Sequence, residues 1–129
     1  MKRLSDNRRY NPLPLYYDAE CIRPVPYSIE NGQVLYEAMS FKKLDGGTQG
    51  ISQFYIRNTS MGAIEDLLIH VESVNKDDVS VTLVSPSVVN ALASREVYRG
   101  RLRWEAKRGG KAGQCQCRIV VSGMLTQEY

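Results

Sequence analysis

Apolar and polar residues alternate along three neighbouring stretches in the middle of the chain, residues 50–58, 67–74 and 79–86. Phe54 and Ile56, for example, occupy alternate positions of the first stretch. A period of two places alternate side chains on one face of an extended strand, so each stretch predicts a strand with one buried face. Because short polar turns join them, we predict that the three strands form one layer of an antiparallel β-sandwich, with the C-terminal residues supplying the second layer.

The last third of the chain alternates on both sides of a basic, glycine-rich loop at residues 107–113. Leu102 and Trp104 alternate with charged residues before the loop, and apolar residues alternate again after it. The pattern predicts a hairpin of residues 97–107 with residues 114–125, and it places Trp104 in the core.

Two further stretches have less regular patterns. Residues 88–98 lack a strict period and predict a loop with one helical turn. Residues 33–41 fit a first strand, although the segment Glu37, Ala38 and Met39 would suit a helix equally well.

The first 28 residues differ from the rest because they contain four of the five prolines. Each proline fixes φ, removes a backbone donor and favours extended geometry in its predecessor. We therefore predict an extended N-terminal arm at residues 1–28 and a sandwich domain at residues 29–129. The arm carries side chains of the kind that bind a neighbouring subunit, namely Tyr10, Leu13, Leu15, Tyr16 and Tyr17. The alternative is that the arm covers an open sheet edge of its own domain.

Length and composition restrict the class of protein. A chain of 129 residues with 43% hydrophobic residues is large enough for one core. It has no apolar run of about 18 residues, so no membrane-spanning helix is expected. The segment MKRLSDNRRYNP is charged and lacks an apolar stretch, so we expect no secretory signal and synthesis in the cytoplasm.

Few residues are candidates for catalysis or metal binding. His70 is the single histidine, and its strand parity is opposite to that of its apolar neighbours. Nucleophile motifs and phosphate-binding glycine loops are missing from the sequence. Cys115 and Cys117 share one strand face, are poorly placed to bond each other, and are expected to be buried as small apolar residues. We expect no catalytic residue, no metal, no cofactor and no enzymatic activity.

Basic residues concentrate towards the C-terminus, although the formal net charge is only +3. Arg99, Arg101 and Arg103 form an arginine stripe, because alternate strand positions share one face. Together with Lys107 the stripe could meet phosphates, with an affinity that falls steeply with salt. No aromatic residue alternates with the stripe, so base stacking is not indicated and we favour a solvated face against an acidic neighbour. The candidate acidic neighbours are Glu65, Asp66 and Glu72.

Four strand patterns occur in a particular order. FYIRNTS at residues 54–60 is followed by LLIHV at 67–71, VSVTLVSP at 79–86 and LRWEA at 102–106. This succession resembles the immunoglobulin-like and fibronectin type III-like β-sandwich over residues 33–125, although the paired cysteines of antibody domains are missing around the tryptophan. The resemblance implies an all-β, antiparallel Ig-like sandwich of the kind found in accessory structural proteins of tailed bacteriophage virions.

The resemblance and the arm together predict a non-enzymatic structural protein of a viral particle, at its head, neck, tail or baseplate. Its expected partners are copies of itself and other structural proteins, bound through the arm, the sandwich edges and the arginine stripe. We expect it in the virion after synthesis in the host cytoplasm, without a membrane, nucleic acid or small molecule as partner. The alternative is an adhesive or carbohydrate-binding sandwich that uses Tyr36, Tyr55 and Tyr98.

Overall fold

The computed structural model of the chain describes residues 11–30, 32–107 and 113–125, together with the backbone of Lys2 and Arg3. Within these ranges the regular structure is entirely β, and no helix is present that could cross a membrane. The strands are β1 (Lys2–Arg3), β2 (Leu15–Tyr16), β3 (Tyr27–Glu30), β4 (Gln33–Leu44), β5 (Gln49–Arg57), β6 (Ile64–Ser73), β7 (Val79–Leu83), β8 (Val88–Leu92), β9 (Val97–Ala106) and β10 (Gly113–Leu125).

The strands form two antiparallel sheets, as expected for a β-sandwich. The six-stranded sheet has the order β3-β4-β10-β6-β8, with β1 also paired to β10, and the four-stranded sheet has the order β2-β5-β9-β7. The predicted strands at residues 50–58, 67–74 and 79–86 exist, but the prediction that they share one layer is wrong. The first and third are β5 and β7 of the four-stranded sheet, whereas the second is β6 of the other sheet. The connecting turns therefore carry the chain across the core.

Three of the strand pairs within the two sheets are nested along the sequence, so that each pair encloses the next. Strand β4 pairs with β10, β5 with β9, and β6 with β8, so that the chain folds back around β7. The predicted hairpin of residues 97–107 with 114–125 is therefore wrong, because β9 and β10 belong to different sheets. Residues 88–92 form β8 rather than a helical turn, and residues 33–44 form a strand.

The immunoglobulin-like type of sandwich is not confirmed. That arrangement places consecutive strands side by side in both sheets. Here β3 and β4 are the only consecutive strands paired with each other among those described. Alternation along each strand is the same in both arrangements, so the resemblance of single strands did not distinguish between them.

The core lies between the two sheets and contains the predicted inward-facing residues. Trp104 and Leu102 of β9 are fully buried, as are Cys115 and Cys117 of β10. The largest fully buried side chains are Trp104, Tyr36, Phe54, Leu13, Leu15, Met39, Ile56, Ile64, Leu67, Leu102 and Ile119. This set includes residues from the predicted arm, so the core extends beyond the predicted domain boundary.

Residues 11–28 lie on the chain's own sandwich, which is the alternative that the sequence left open. Leu15 pairs with Ile56 in the short strand β2, and both Leu13 and Leu15 are 0% exposed. The Asn11 amide donates a hydrogen bond to the Tyr36 hydroxyl at 2.9 Å, and that hydroxyl donates to the Leu13 carbonyl. An arm that stands apart from the domain is therefore not confirmed for these residues, and Tyr10 lies outside the described residues.

Candidate functional site

The arginine stripe occupies the outer face of the four-stranded sheet. Arg99, Arg101 and Arg103 are exposed, and they alternate along β9 with buried residues such as Leu102 and Trp104. The predicted sharing of one face is thus confirmed. Strand β9 is held between β5 and β7 by its register with both strands, so the stripe runs along the middle of this face.

Tyrosine side chains lie beside the stripe. Tyr55 of β5 is directly opposite Arg99, and Tyr16 of β2 is directly opposite Tyr55. Both tyrosines are half-buried, and because directly paired residues lie on the same face of a sheet, their side chains share the outer face with the arginines. The Tyr55 hydroxyl donates a hydrogen bond to Gln53 Oε1 at 2.7 Å. The alternation along β9 gave no indication of base stacking, because the aromatic side chains beside the stripe come from the neighbouring strands β5 and β2.

A fourth arginine, Arg57, ends β5 on the same face. Burial raises the pKa of Tyr16, and the positive charge of Arg57 lies close enough to this tyrosine to oppose that rise in part. We call the six residues of this surface the arginine–tyrosine face. They are Arg57, Arg99, Arg101, Arg103, Tyr16 and Tyr55.

The expected acidic neighbours are not near the stripe. Glu65, Asp66 and Glu72 lie on β6, which belongs to the other sheet. Within the described ranges, the stripe's one ion pair joins Arg103 Nε to Glu105 Oε1 at 3.7 Å. Both partners are half-exposed, and such surface pairs contribute little to stability. The stripe is thus solvated as predicted, but the prediction that Glu65, Asp66 or Glu72 lies against it is wrong, and most of the positive charge remains available.

The outer face of the six-stranded sheet has a different charge pattern. Arg118 of β10 lies between two acids, with its Nε 3.3 Å from Glu37 Oε1 and its Nη1 3.8 Å from Glu72 Oε2. Glu72 also lies 3.7 Å from Nε2 of the exposed His70. The two acids of this cluster already share one arginine, so the cluster has a net charge of about −1 with the histidine neutral.

The described members of the predicted arm set have two different environments. Leu13 and Leu15 are core residues, whereas Tyr16 and Tyr17 are half-buried at the surface. The Tyr17 ring meets the Phe41 ring edge-on, with centroids 5.7 Å apart, and the Arg23 guanidinium lies 5.9 Å from its centre. Leu13 and Leu15 thus pack against their own chain, which leaves Tyr16 and Tyr17 as the described members of the predicted binding set that have accessible surface.

The groups considered for catalysis and metal binding do not converge. Nothing in the described part of the chain brings three His, Cys, Asp or Glu side chains together as metal ligands. The described cysteines are free, and burial raises the pKa of the Cys117 thiol to about 12. His70 has Glu72 beside it, and within residues 11–30, 32–107 and 113–125 its side chain makes no hydrogen bond to a hydroxyl or thiol group.

The tyrosines of the carbohydrate-binding alternative are mostly internal. Tyr36 is fully buried and Tyr98 is nearly so, which leaves Tyr55 on the surface. Burial raises the pKa of Tyr36, and it raises the pKa of Tyr98 to about 12. A stacking platform of three exposed tyrosines, as the alternative required, is therefore not formed.

We base the functional argument for this protein on the surfaces described above. The arginine–tyrosine face is the surface where three strands, β2, β5 and β9, bring charged and aromatic side chains together. No protein-family model, curated protein or solved structure matches the chain.

Proposed function

We propose that this protein is a non-enzymatic structural subunit of an assembly, in keeping with the viral particle that the sequence resemblance implies. The observation that carries the proposal is the nested strand pairing of β4 with β10, β5 with β9 and β6 with β8. Two sheets wound in this nested manner are typical of jelly-roll sandwiches, which serve as viral capsid, lectin and cupin domains. The step from this architecture to a particle subunit is an analogy at the level of fold.

Among these uses, the surface favours assembly over sugar binding. Leu68 of β6 pairs directly with Val88 of the edge strand β8, and their exposed fractions are 48% and 56%. Exposed apolar residues next to an open sheet edge are suited to contacts between subunits. A lectin role would instead need exposed aromatic residues, of which the candidate set retains only Tyr55.

The mass of the full-length protein in solution tests the proposal. We expect light scattering to show a defined oligomer whose population increases with protein concentration. Val88→Asp should reduce the oligomer mass, because a carboxylate on β8 would be desolvated at the contact. Val74→Asp is the matched control, since Val74 is 52% exposed but lies in the turn after β6. A wild-type monomer at every concentration, or equal effects of the two substitutions, would contradict the proposed contact.

A further inference from the structure

The arginine–tyrosine face has the chemistry of a surface for a polyanion with aromatic groups. We propose that it binds single-stranded nucleic acid, with the arginines on the phosphates and the tyrosines against the bases. This binding activity goes beyond the structural role proposed above, and it requires no self-association. The inference depends on the charge, the spacing and the aromatic composition of the face.

The charge of the face is strongly positive and largely unpaired. Four arginines against two acids, Glu105 beside Arg103 and Asp18 near Tyr16, give this surface a net charge of +2. Arg99 and Arg101 make no ion pair with any residue in the described ranges, and both are exposed. Lys107 adds a further exposed cation at the end of β9. A partner that neutralises these charges must bring several negative groups in a row.

The spacing of the arginines suits a phosphate backbone. Alternate residues of a strand are about 6.6 to 6.8 Å apart, so the stripe presents cations at regular intervals along β9. Successive phosphates of an extended single strand are separated by a similar distance. Each guanidinium can bind two phosphate oxygens through its planar fork, which a lysine ammonium cannot do with the same geometry.

The tyrosines supply the second half of the recognition chemistry. Tyr55 lies directly across from Arg99, and its hydroxyl bond to Gln53 restrains the position of the ring. Tyr16 continues the same cross-strand row. Proteins that bind single strands combine a basic track with aromatic side chains on which bases stack, and four-stranded sheets do this with residues on their open face. A duplex is less suited, because its bases are already stacked on each other.

A second copy of the chain is the competing occupant of this face. The acidic cluster on the opposite sheet has the required sign, but Glu37 and Glu72 already share Arg118. Docking the arginines there would require them to compete with that arginine for the same two carboxylates. Nucleic acid, which carries one negative charge per nucleotide, provides the stronger match.

Fluorescence anisotropy with a labelled oligothymidylate of about 20 nucleotides tests the proposal in the full-length protein. With three or four phosphate contacts, log Kd plotted against log salt should have a slope of about 2 to 3. Arg99→Ala and Arg101→Ala should each weaken binding and reduce that slope by about 0.7. Arg118→Ala is the matched control, because it removes the same charge from the opposite sheet and should leave the binding curve unchanged.

Substitutions of Tyr55 separate base stacking from simple charge attraction. Tyr55→Ala should weaken binding by about tenfold with an unchanged salt slope, whereas Tyr55→Phe should retain the wild-type affinity. Thermal unfolding followed by Trp104 fluorescence verifies that each variant is folded.

Three results would each overturn the inference. The first is binding that Arg99→Ala and Arg118→Ala reduce equally. The second is a wild-type affinity of Tyr55→Ala for the oligothymidylate, together with displacement of that oligonucleotide by polyglutamate as effectively as by unlabelled oligothymidylate. This result would indicate an acidic protein surface as the partner. The third is the absence of oligonucleotide binding at about 50 mM salt, where the electrostatic contribution is large.

Discussion

The ring of Phe54 on β5 lies against Gly100 on β9, in the space that a side chain at residue 100 would need. The two residues are direct partners in the β5–β9 register. A Cβ atom added to Gly100 would lie 2.1 Å from Cζ of Phe54. An aromatic ring that covers a glycine on the next strand fixes the register, because a shift of either strand would separate the two. The pair thus holds β9, and with it the arginine stripe, in place beside Tyr55.

Gly100→Ala should destabilise the protein because the new methyl group overlaps the Phe54 ring. We expect the free energy of unfolding to fall by about 1 to 3 kcal/mol, measured by urea denaturation. The double variant Gly100→Ala with Phe54→Leu should lose less than the sum of the two single effects. Gly50→Ala is the control, since its Cβ would meet the flexible end of Lys42 at 2.7 Å and Cδ2 of Leu44 at 3.1 Å, which is a milder overlap than that with the Phe54 ring. Equal losses at residues 50 and 100 would show that the ring does not occupy the space.

The burial of Leu15 predicts that the N-terminal segment is needed for folding. Leu15→Ala should lower the free energy of unfolding by about 2 to 5 kcal/mol, because it removes a fully buried side chain from the core. Ile22→Ala in the same segment should change it by less than about 0.5 kcal/mol, since Ile22 is 72% exposed. Deletion of residues 1–28 should leave an unfolded chain by circular dichroism. A folded, cooperative 29–129 fragment would restore the separate arm that the sequence predicted.

The three cysteines should differ in reactivity. Burial raises the pKa of all three thiols, but Cys115 and Cys117 are fully buried whereas Cys21 is half-buried at the surface. Because a thiol must be accessible as well as ionised to react, a thiol reagent at pH 8 should label Cys21 well before the other two. Mass spectrometry of the alkylated peptides measures the order, and labelling in urea should make the three equal. Rapid native labelling of Cys117 would contradict the buried position.

The buried tyrosines predict a loss of stability in alkaline solution. Burial raises the pKa of Tyr98 to about 12 in the folded protein, from a value of 10.0 when unfolded. Above pH 10 the unfolded chain releases the phenol proton and the folded chain retains it, so stability falls as the pH rises. The loss should reach an order of 1 to 3 kcal/mol near pH 12. Urea midpoints across this range measure it.

Tyr98→Phe provides the control for the alkaline effect. This substitution removes the ionisable group and the 2.9 Å hydrogen bond from the Tyr98 hydroxyl to the Pro86 carbonyl. It should lower stability at pH 8 and reduce the slope of stability against pH above pH 10. If the slope of stability against pH stayed unchanged in this variant, the alkaline loss of stability would come from other groups. Tyr36 is one such group, because burial raises its pKa as well.

The inward and outward positions of single strands were predictable because they depend on local alternation. Trp104 and Leu102 are buried while Arg101 and Arg103 are exposed, as period two requires. The assignment of β9 and β10 to different sheets was not predictable in the same way. Both strands bury one face, and alternation does not specify which strand lies next to which.

The composition of the arginine–tyrosine face depends on register between distant strands. Arg99 and Tyr55 belong to β9 and β5, and Tyr16 belongs to β2 in the predicted arm. The sequence suggested each residue separately as a surface residue, but cross-strand pairing alone places them side by side. The burial of Leu13 and Leu15 was missed for a related reason, since proline-rich composition indicates extended backbone and does not specify the surface on which it lies.

The nested strand pairing also determines the order in which the chain can fold during synthesis. Strands β4 and β5 leave the ribosome early, but their partners β10 and β9 follow much later. Distant pairings slow folding, so refolding followed by Trp104 fluorescence should take milliseconds to seconds, and a microsecond phase carrying the whole signal would contradict this expectation. Until β9 and β10 are made, the early strands have unpaired edges, which makes this interval the period when aggregation competes most strongly with folding.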